Sequence, residues 1–196
     1  VSLNFAGLEK NPGFKVTIPL MLGMVYSVLY GDLFMRCLYK VRPYEKVKGS
    51  ANAVYEKWNE IVSAEMERGE TKRFKKNVAA IVKDFEAVET LDIVKPKVGI
   101  VGEILVKFHP LANNHAVELI EREGGEAVVP DLLDFFMYSF YDDTVRYRLL
   151  DGTRMGKFKS DFYIWFIEKL KKPMLKALKG TKFGAPTHIS KMAEMA

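Results

Sequence analysis

Apolar residues crowd the stretch from Ile18 to Met35, with Leu20, Met21, Leu22, Met24, Val25, Val28, Leu29, Leu33 and Phe34 separated by few polar side chains. The run approaches the length that crosses a bilayer, yet Gly23, Gly31 and Asp32 interrupt it. It therefore reads as a buried helix that starts at Pro19, a residue suited to a first helical turn. After Arg42-Pro43-Tyr44 two polar-faced helical patterns follow. Val54, Trp58, Ile61, Val62 and Met66 recur at three to four residues within 50–68. Phe74, Val78, Ile81, Val82 and Phe85 do the same within 72–91. Gly69 is a natural stop between them. Residues 1–94 are thus expected to form a mainly helical N-terminal region, a layer that covers something else.

The pattern changes at Lys95-Pro96-Lys97. Val98-Gly99-Ile100-Val101-Gly102 reads as a short buried strand. Asn113 or Asn114 can cap a helix carrying Ala116, Val117, Leu119 and Ile120, which ends at Gly124-Gly125. Ala127-Val128-Val129-Pro130 reads as a second strand, and Asp131 is placed to cap a helix through Leu132, Leu133, Phe135 and Phe136. Strand, crossover helix and strand make a parallel, right-handed βαβ unit, so residues 95–196 are expected to be an α/β region. Phe162, Trp165, Phe166, Ile167 and Leu170 predict a further helix from Phe158 to Lys179, kinked or broken at Pro173. Ile189, Met192, Ala193 and Met195 predict the beginning of another. Two strands alone make a marginal sheet. Either Val145–Leu150 supplies a third strand, or partner strands lie outside this chain.

Composition narrows the class. Apolar residues make up 48% and charged residues 28%, the balance of a globular protein rather than a disordered one. The net charge of +5 is spread among interleaved acids and bases, and no nucleic-acid-binding signature accompanies it. Nucleic acid and membrane are therefore not expected partners. Cys37 is the only cysteine, which excludes an intrachain disulfide and a self-contained iron-sulfur cluster. No signal-peptide pattern opens the chain, so the reducing cytoplasm is the expected compartment.

In an open α/β sheet, ligands gather beyond the carboxyl ends of the strands, which directs attention to the loop after Val101. Gly102 permits close backbone approach, and Glu103, Lys107, His109, Asn113 and Asn114 follow it. Gly102, Glu103, Asn113 and Asn114 are the candidate ligand-binding residues, with the following helix N-terminus as an anion site. The spacing matches neither a dinucleotide fingerprint nor a phosphate-binding loop, and no catalytic residue or metal ligand can be assigned. Asp131 and Asp134 could join Glu103 as paired carboxylates or could serve as helix cap and first-turn charge. His188 is a weaker candidate, and Cys37 reads as a small buried hydrophobe.

Three runs carry a family resemblance: Lys97-Val98-Gly99-Ile100-Val101-Gly102-Glu103-Ile104, His109-Pro110-Leu111-Ala112-Asn113-Asn114 and Glu126-Ala127-Val128-Val129-Pro130. Gly31-Asp32-Leu33, Arg42-Pro43-Tyr44-Glu45 and Pro186-Thr187-His188-Ile189 extend it over most of the chain. The sequence resembles the 2-hydroxyacyl-CoA dehydratase family, especially its large CoA-substrate-specific enzyme activase-related members. The resemblance implies a flavodoxin- or Rossmann-like α/β fold with added helices, within a larger domain. It also implies a [4Fe-4S] cluster held by cysteines and radical dehydration of acyl-CoA after ATP-driven electron transfer. The cluster cysteines and the ATP-binding core are not found here, so any cluster is expected in a full-length parent that continues beyond Ala196. Two functional expectations follow. One is a domain of a dehydratase-like or activase-related iron-sulfur protein, inactive alone and partnered by the rest of its parent or by a second dehydratase-type subunit, with acyl-CoA as ligand. The other is a stand-alone interaction module that binds an anion or CoA.

Overall fold

The structure is a computed structural model that describes residues 17–184. The chain is mostly helical and carries one small parallel sheet, a mixed helix-and-sheet architecture. Helix α1 (Ile18–Val41) starts where the Thr17 hydroxyl accepts a hydrogen bond from Leu20 N, with Pro19 in its first turn. It runs into a 3₁₀ turn, Arg42–Tyr44. Helix α2 (Ser50–Glu67) follows Gly49, whose φ of 91° suits glycine. The Glu45 carboxylate accepts from Gly49 N at 2.6 Å and Ala51 N at 2.9 Å, satisfying donors at the start of α2. Gly69 ends that helix, and α3 (Phe74–Glu86) follows, ending earlier than its apolar pattern predicts.

Strand β1 (Lys97–Gly99) leads to α4 (Ile104–Phe108) and α5 (Ala116–Arg122), and then to β2 (Glu126–Val128). The strands are parallel, with Lys97 opposite Glu126, Val98 opposite Ala127 and Gly99 opposite Val128. The predicted βαβ order is present, although its crossover is two short helices rather than one. Ile100, Val117 and Ala127 form a small core between sheet and α5.

Helices α6 (Leu132–Leu149) and α7 (Arg154–Leu178) pair as a hairpin. The suggested strand at Val145–Leu150 is instead the end of α6. Thr144, seven residues after the buried Met137, lies on the face turned to α7, and the helix continues from it through Leu149, a run whose local pattern is ambiguous. Nor does Pro173 break α7. Lys171 and Met174 on either side of it are buried, and their packing holds the helix through the missing N–H. The expected helix near Ile189 and Met195 lies outside the described residues.

One main core joins both regions. Leu29, Leu33, Cys37 and Val41 of α1 meet Val78, Ile81 and Phe85 of α3, together with Met137 of α6 and Met174 and Leu178 of α7. Helix α1 has the length and hydropathy of a membrane span, but its second half is the centre of this core.

Candidate functional site

A cleft of about 640 Å³ opens between α1, α2 and the segments that follow the two strands. Phe34, Met35 and Leu38 come from α1, Val62 from α2, Phe108 from α4 and Leu132 from the start of α6. Most of the lining comes from α1 and α2, and Phe108 and Leu132 bring in the segments that follow β1 and β2. Its lining is mainly apolar, with Asp32, Arg42, Asn59, Ser63 and Glu118 among its polar members. Arg42 is held by Glu121 through two hydrogen bonds of 2.7 and 3.0 Å and lies 5.4 Å from the Tyr39 ring centroid. That guanidinium is therefore already neutralised. Burial pushes both the Glu121 carboxyl and the Tyr39 phenol above their ordinary values.

The floor is a buried charge cluster. Asp32 is 1% exposed and accepts hydrogen bonds from Leu132 N at 2.7 Å and Leu133 N at 3.0 Å. It caps α6 from another helix. Burial, followed by the neighbouring Asp131, pushes its pKa up to about 7. Asp131 is 3% exposed and pairs with Arg36 at 2.7 Å. Burial raises its pKa against the opposing effect of Arg36. Lys171, 2% exposed, lies 2.7 Å from Asp134 and 3.8 Å from Asp131. The longer contact is an ion pair without a hydrogen bond, and Asp131 Oδ2 has no hydrogen-bond partner among the described residues. The cluster ties α1, α6 and α7 together, and Asp32 is its member that lines the cleft.

The four candidate residues form a different part of the molecule. Gly102 is exposed at a φ of 132°, and Glu103 caps α4 by accepting from Leu105 N at 2.9 Å. Asn113 Oδ1 accepts from Ala116 N at 3.1 Å, while Asn114 is exposed at a φ of 54°. None of the four lines the main cleft, although Asn113 borders a narrow crevice of about 20 Å³ beside Phe108. Helix α5 has seven residues, with Asn113 bonded at its start and Glu118 in its first turn, so its N-terminus offers no open anion site. Lys107 lies 5.6 Å from the Phe135 ring centroid, and His109 closes a turn through its carbonyl, which accepts from Ala112 N at 2.9 Å.

Of the three candidate paired carboxylates, Asp131 and Asp134 do come together, on Lys171, whereas Glu103 bonds its own helix. Asp131 flanks α6 as expected but makes no side-chain cap, because Asp32 occupies that role. His188 lies outside the described residues. Asp32 enters the sequence reading only as an interruption of the apolar run and within a resemblance run, and Arg36 and Lys171 do not enter it as site residues. Two signals were available: a lone acid within an apolar helix, and Lys171 in register with the buried Ile167, Met174 and Leu178.

Cys37 is fully buried in the main core, and burial pushes its thiol pKa up. Among the described residues, no group of three or more His, Cys, Asp or Glu side chains is placed to hold a metal ion. These residues do not fit an iron-sulfur cluster. No protein-family model, curated protein or solved structure matches the chain.

Proposed function

We propose that this chain is a domain of a 2-hydroxyacyl-CoA dehydratase-like or CoA-substrate-specific activase-related protein, and that it supplies one wall of an acyl-CoA site without catalysing the reaction alone. The observation that supports this reading is the mainly apolar cleft, lined by α1 and α2 and closed by Phe108 and Leu132 from the segments that follow the two strands. Apolar walls from Phe34, Leu38, Val62 and Phe108 suit an acyl chain, and the polar members of the lining suit its thioester end. In this reading the sheet is part of a flavodoxin-like α/β half, and the [4Fe-4S] cluster belongs to another part of the protein. Gly102, Glu103, Asn113 and Asn114 shape the loop behind Phe108 rather than touching the acyl chain. The rival, a stand-alone anion-binding module, has less support because Arg42 is neutralised and the start of α5 is already bonded.

The test is thermal unfolding of the chain with hexanoyl-CoA, free CoA and no addition. At a concentration 100 times its dissociation constant a ligand adds about 2.7 kcal/mol, several degrees in Tm. Hexanoyl-CoA is expected to raise Tm more than CoA, and Ser63→Trp, which fills the cleft from an exposed position, is expected to remove the difference. Equal shifts with both compounds, or a shift that Ser63→Trp leaves intact, would overturn the acyl-site reading.

A further inference from the structure

Among the described residues, no strand lies beside the outer edge of β1. All three residues of β1 are exposed, whereas β2 buries Glu126 and Ala127 and lies against α1 through Lys40 and Tyr39. Pro96 O accepts from Glu126 N at 2.8 Å, and Ile100 N donates to Val128 O at 2.9 Å. Backbone groups alternate in direction along a strand, so Lys97 and Gly99 turn their N–H and C=O groups away from β2. Among the described residues those groups have no backbone partner and form an open hydrogen-bonding edge. Parallel sheets are normally enclosed, and a two-stranded sheet is marginal by itself. The one other segment with strand-like patterning, Val145–Leu150, belongs to α6, so no third strand is supplied among the described residues.

The surroundings of the edge specify its occupant. Val94, three residues before β1, is 99% exposed and Val101, two residues after it, 82% exposed, and Val98 within the strand is also exposed. Lys95 and Lys97 stand beside them without an ion-pair partner among the described residues. We propose that the outer edge of β1 receives a parallel strand from the remainder of the larger protein, one that alternates apolar residues and carries acidic residues at its ends. This inference rests on the dehydratase-like reading for the source of the strand, while the edge itself rests on geometry. The unpaired main-chain groups supply affinity, the exposed valines pair with alternate side chains, and the lysines favour acidic flanks.

A seven-residue peptide with alternating valine and threonine between terminal glutamates serves as the probe, with amide hydrogen exchange read by NMR on the intact chain. The Lys97 and Gly99 amides are expected to slow at least tenfold at saturation. The Val98 amide, already turned to β2, serves as the internal reference. A peptide with a central proline is expected to give no protection, and one with terminal lysines is expected to bind more weakly. Unchanged exchange at Lys97 and Gly99, or equal protection by the proline peptide, would overturn the proposal. So would protection that appears without peptide as the chain dimerises, since a second copy would then be the occupant. Peptide protection without acyl-CoA binding would sink the dehydratase-like reading and leave the strand edge standing, whereas acyl-CoA binding without protection would sink the edge alone.

Discussion

Asp32 and Leu132 lie one hundred residues apart in the chain, yet the Asp32 carboxylate accepts a 2.7 Å hydrogen bond from the Leu132 amide. Its second oxygen accepts from Leu133, so a side chain of α1 completes the first turn of α6. Replacing Asp32 with alanine removes the cap and leaves two backbone donors without partners. The expected loss is about 2–3 kcal/mol. Asn at this position keeps one acceptor and should lose less. Urea unfolding of both variants provides the comparison.

The same carboxyl makes stability depend on pH. Its folded-state pKa of about 7 lies above its ordinary value of 3.8. Between those values the folded chain binds more protons than the unfolded one, so this group's contribution is fully present below about pH 4 and is lost as pH rises to about 7. Asp131 is shifted in the same direction by burial. Tm of the native chain should therefore fall between pH 5 and about 7 relative to Asp32→Asn. Parallel pH profiles for the two proteins would refute this assignment.

Lys171 is buried between Asp131 and Asp134. Removing its charge leaves two carboxylates in a site with little solvent, and Lys171→Met should cost about 3–5 kcal/mol. Adding Asp134→Leu should recover part of that loss, because the stranded charge is then removed as well. A double-mutant cycle in urea measures the coupling.

Gly152 makes the turn between α6 and α7 possible by close approach. A Cβ there would lie 2.6 Å from Tyr147 Cα and 2.7 Å from the Arg146 carbonyl carbon, both backbone atoms that cannot swing aside. Gly152→Ala should therefore destabilise the hairpin by at least about 2 kcal/mol. Gly180→Ala provides a contrast, since its cost arises from a φ of 80° rather than from a clash. The two unfolding midpoints would separate crowding from backbone strain.

Glu103 is exposed, and its cap to Leu105 N survives conversion to the amide in weaker form. Glu103→Gln should change stability by less than about 0.5 kcal/mol. It should also leave acyl-CoA affinity unchanged, because Glu103 does not line the main cleft. A clear loss of affinity on titration calorimetry would return this residue to the site.

Local pattern alone was enough for the strongly periodic elements: α2 and α3 from their three-to-four spacing, α1 from its apolar run, and the parallel βαβ order from two β-branched segments around a helix. Of the two asparagines offered as caps, Asn113 accepts from Ala116 N although His115 holds the N-cap position, since an asparagine reaches a donor a few residues away. Chain neighbours could not determine the rest. Val145–Leu149 continues α6 as helix with its side chains half-buried or exposed, and α7 continued through Pro173 because buried contacts on both sides hold it. The cleft and its charged floor depend on approaches across long stretches of chain, Asp32 to Leu132, Arg36 to Asp131 and Arg42 to Glu121. The sequence by itself determined which segments could be helix or strand, since those preferences arise within a few residues. Only the tertiary structure decided which buried charges meet, because that depends on how three helices and a two-stranded sheet pack together.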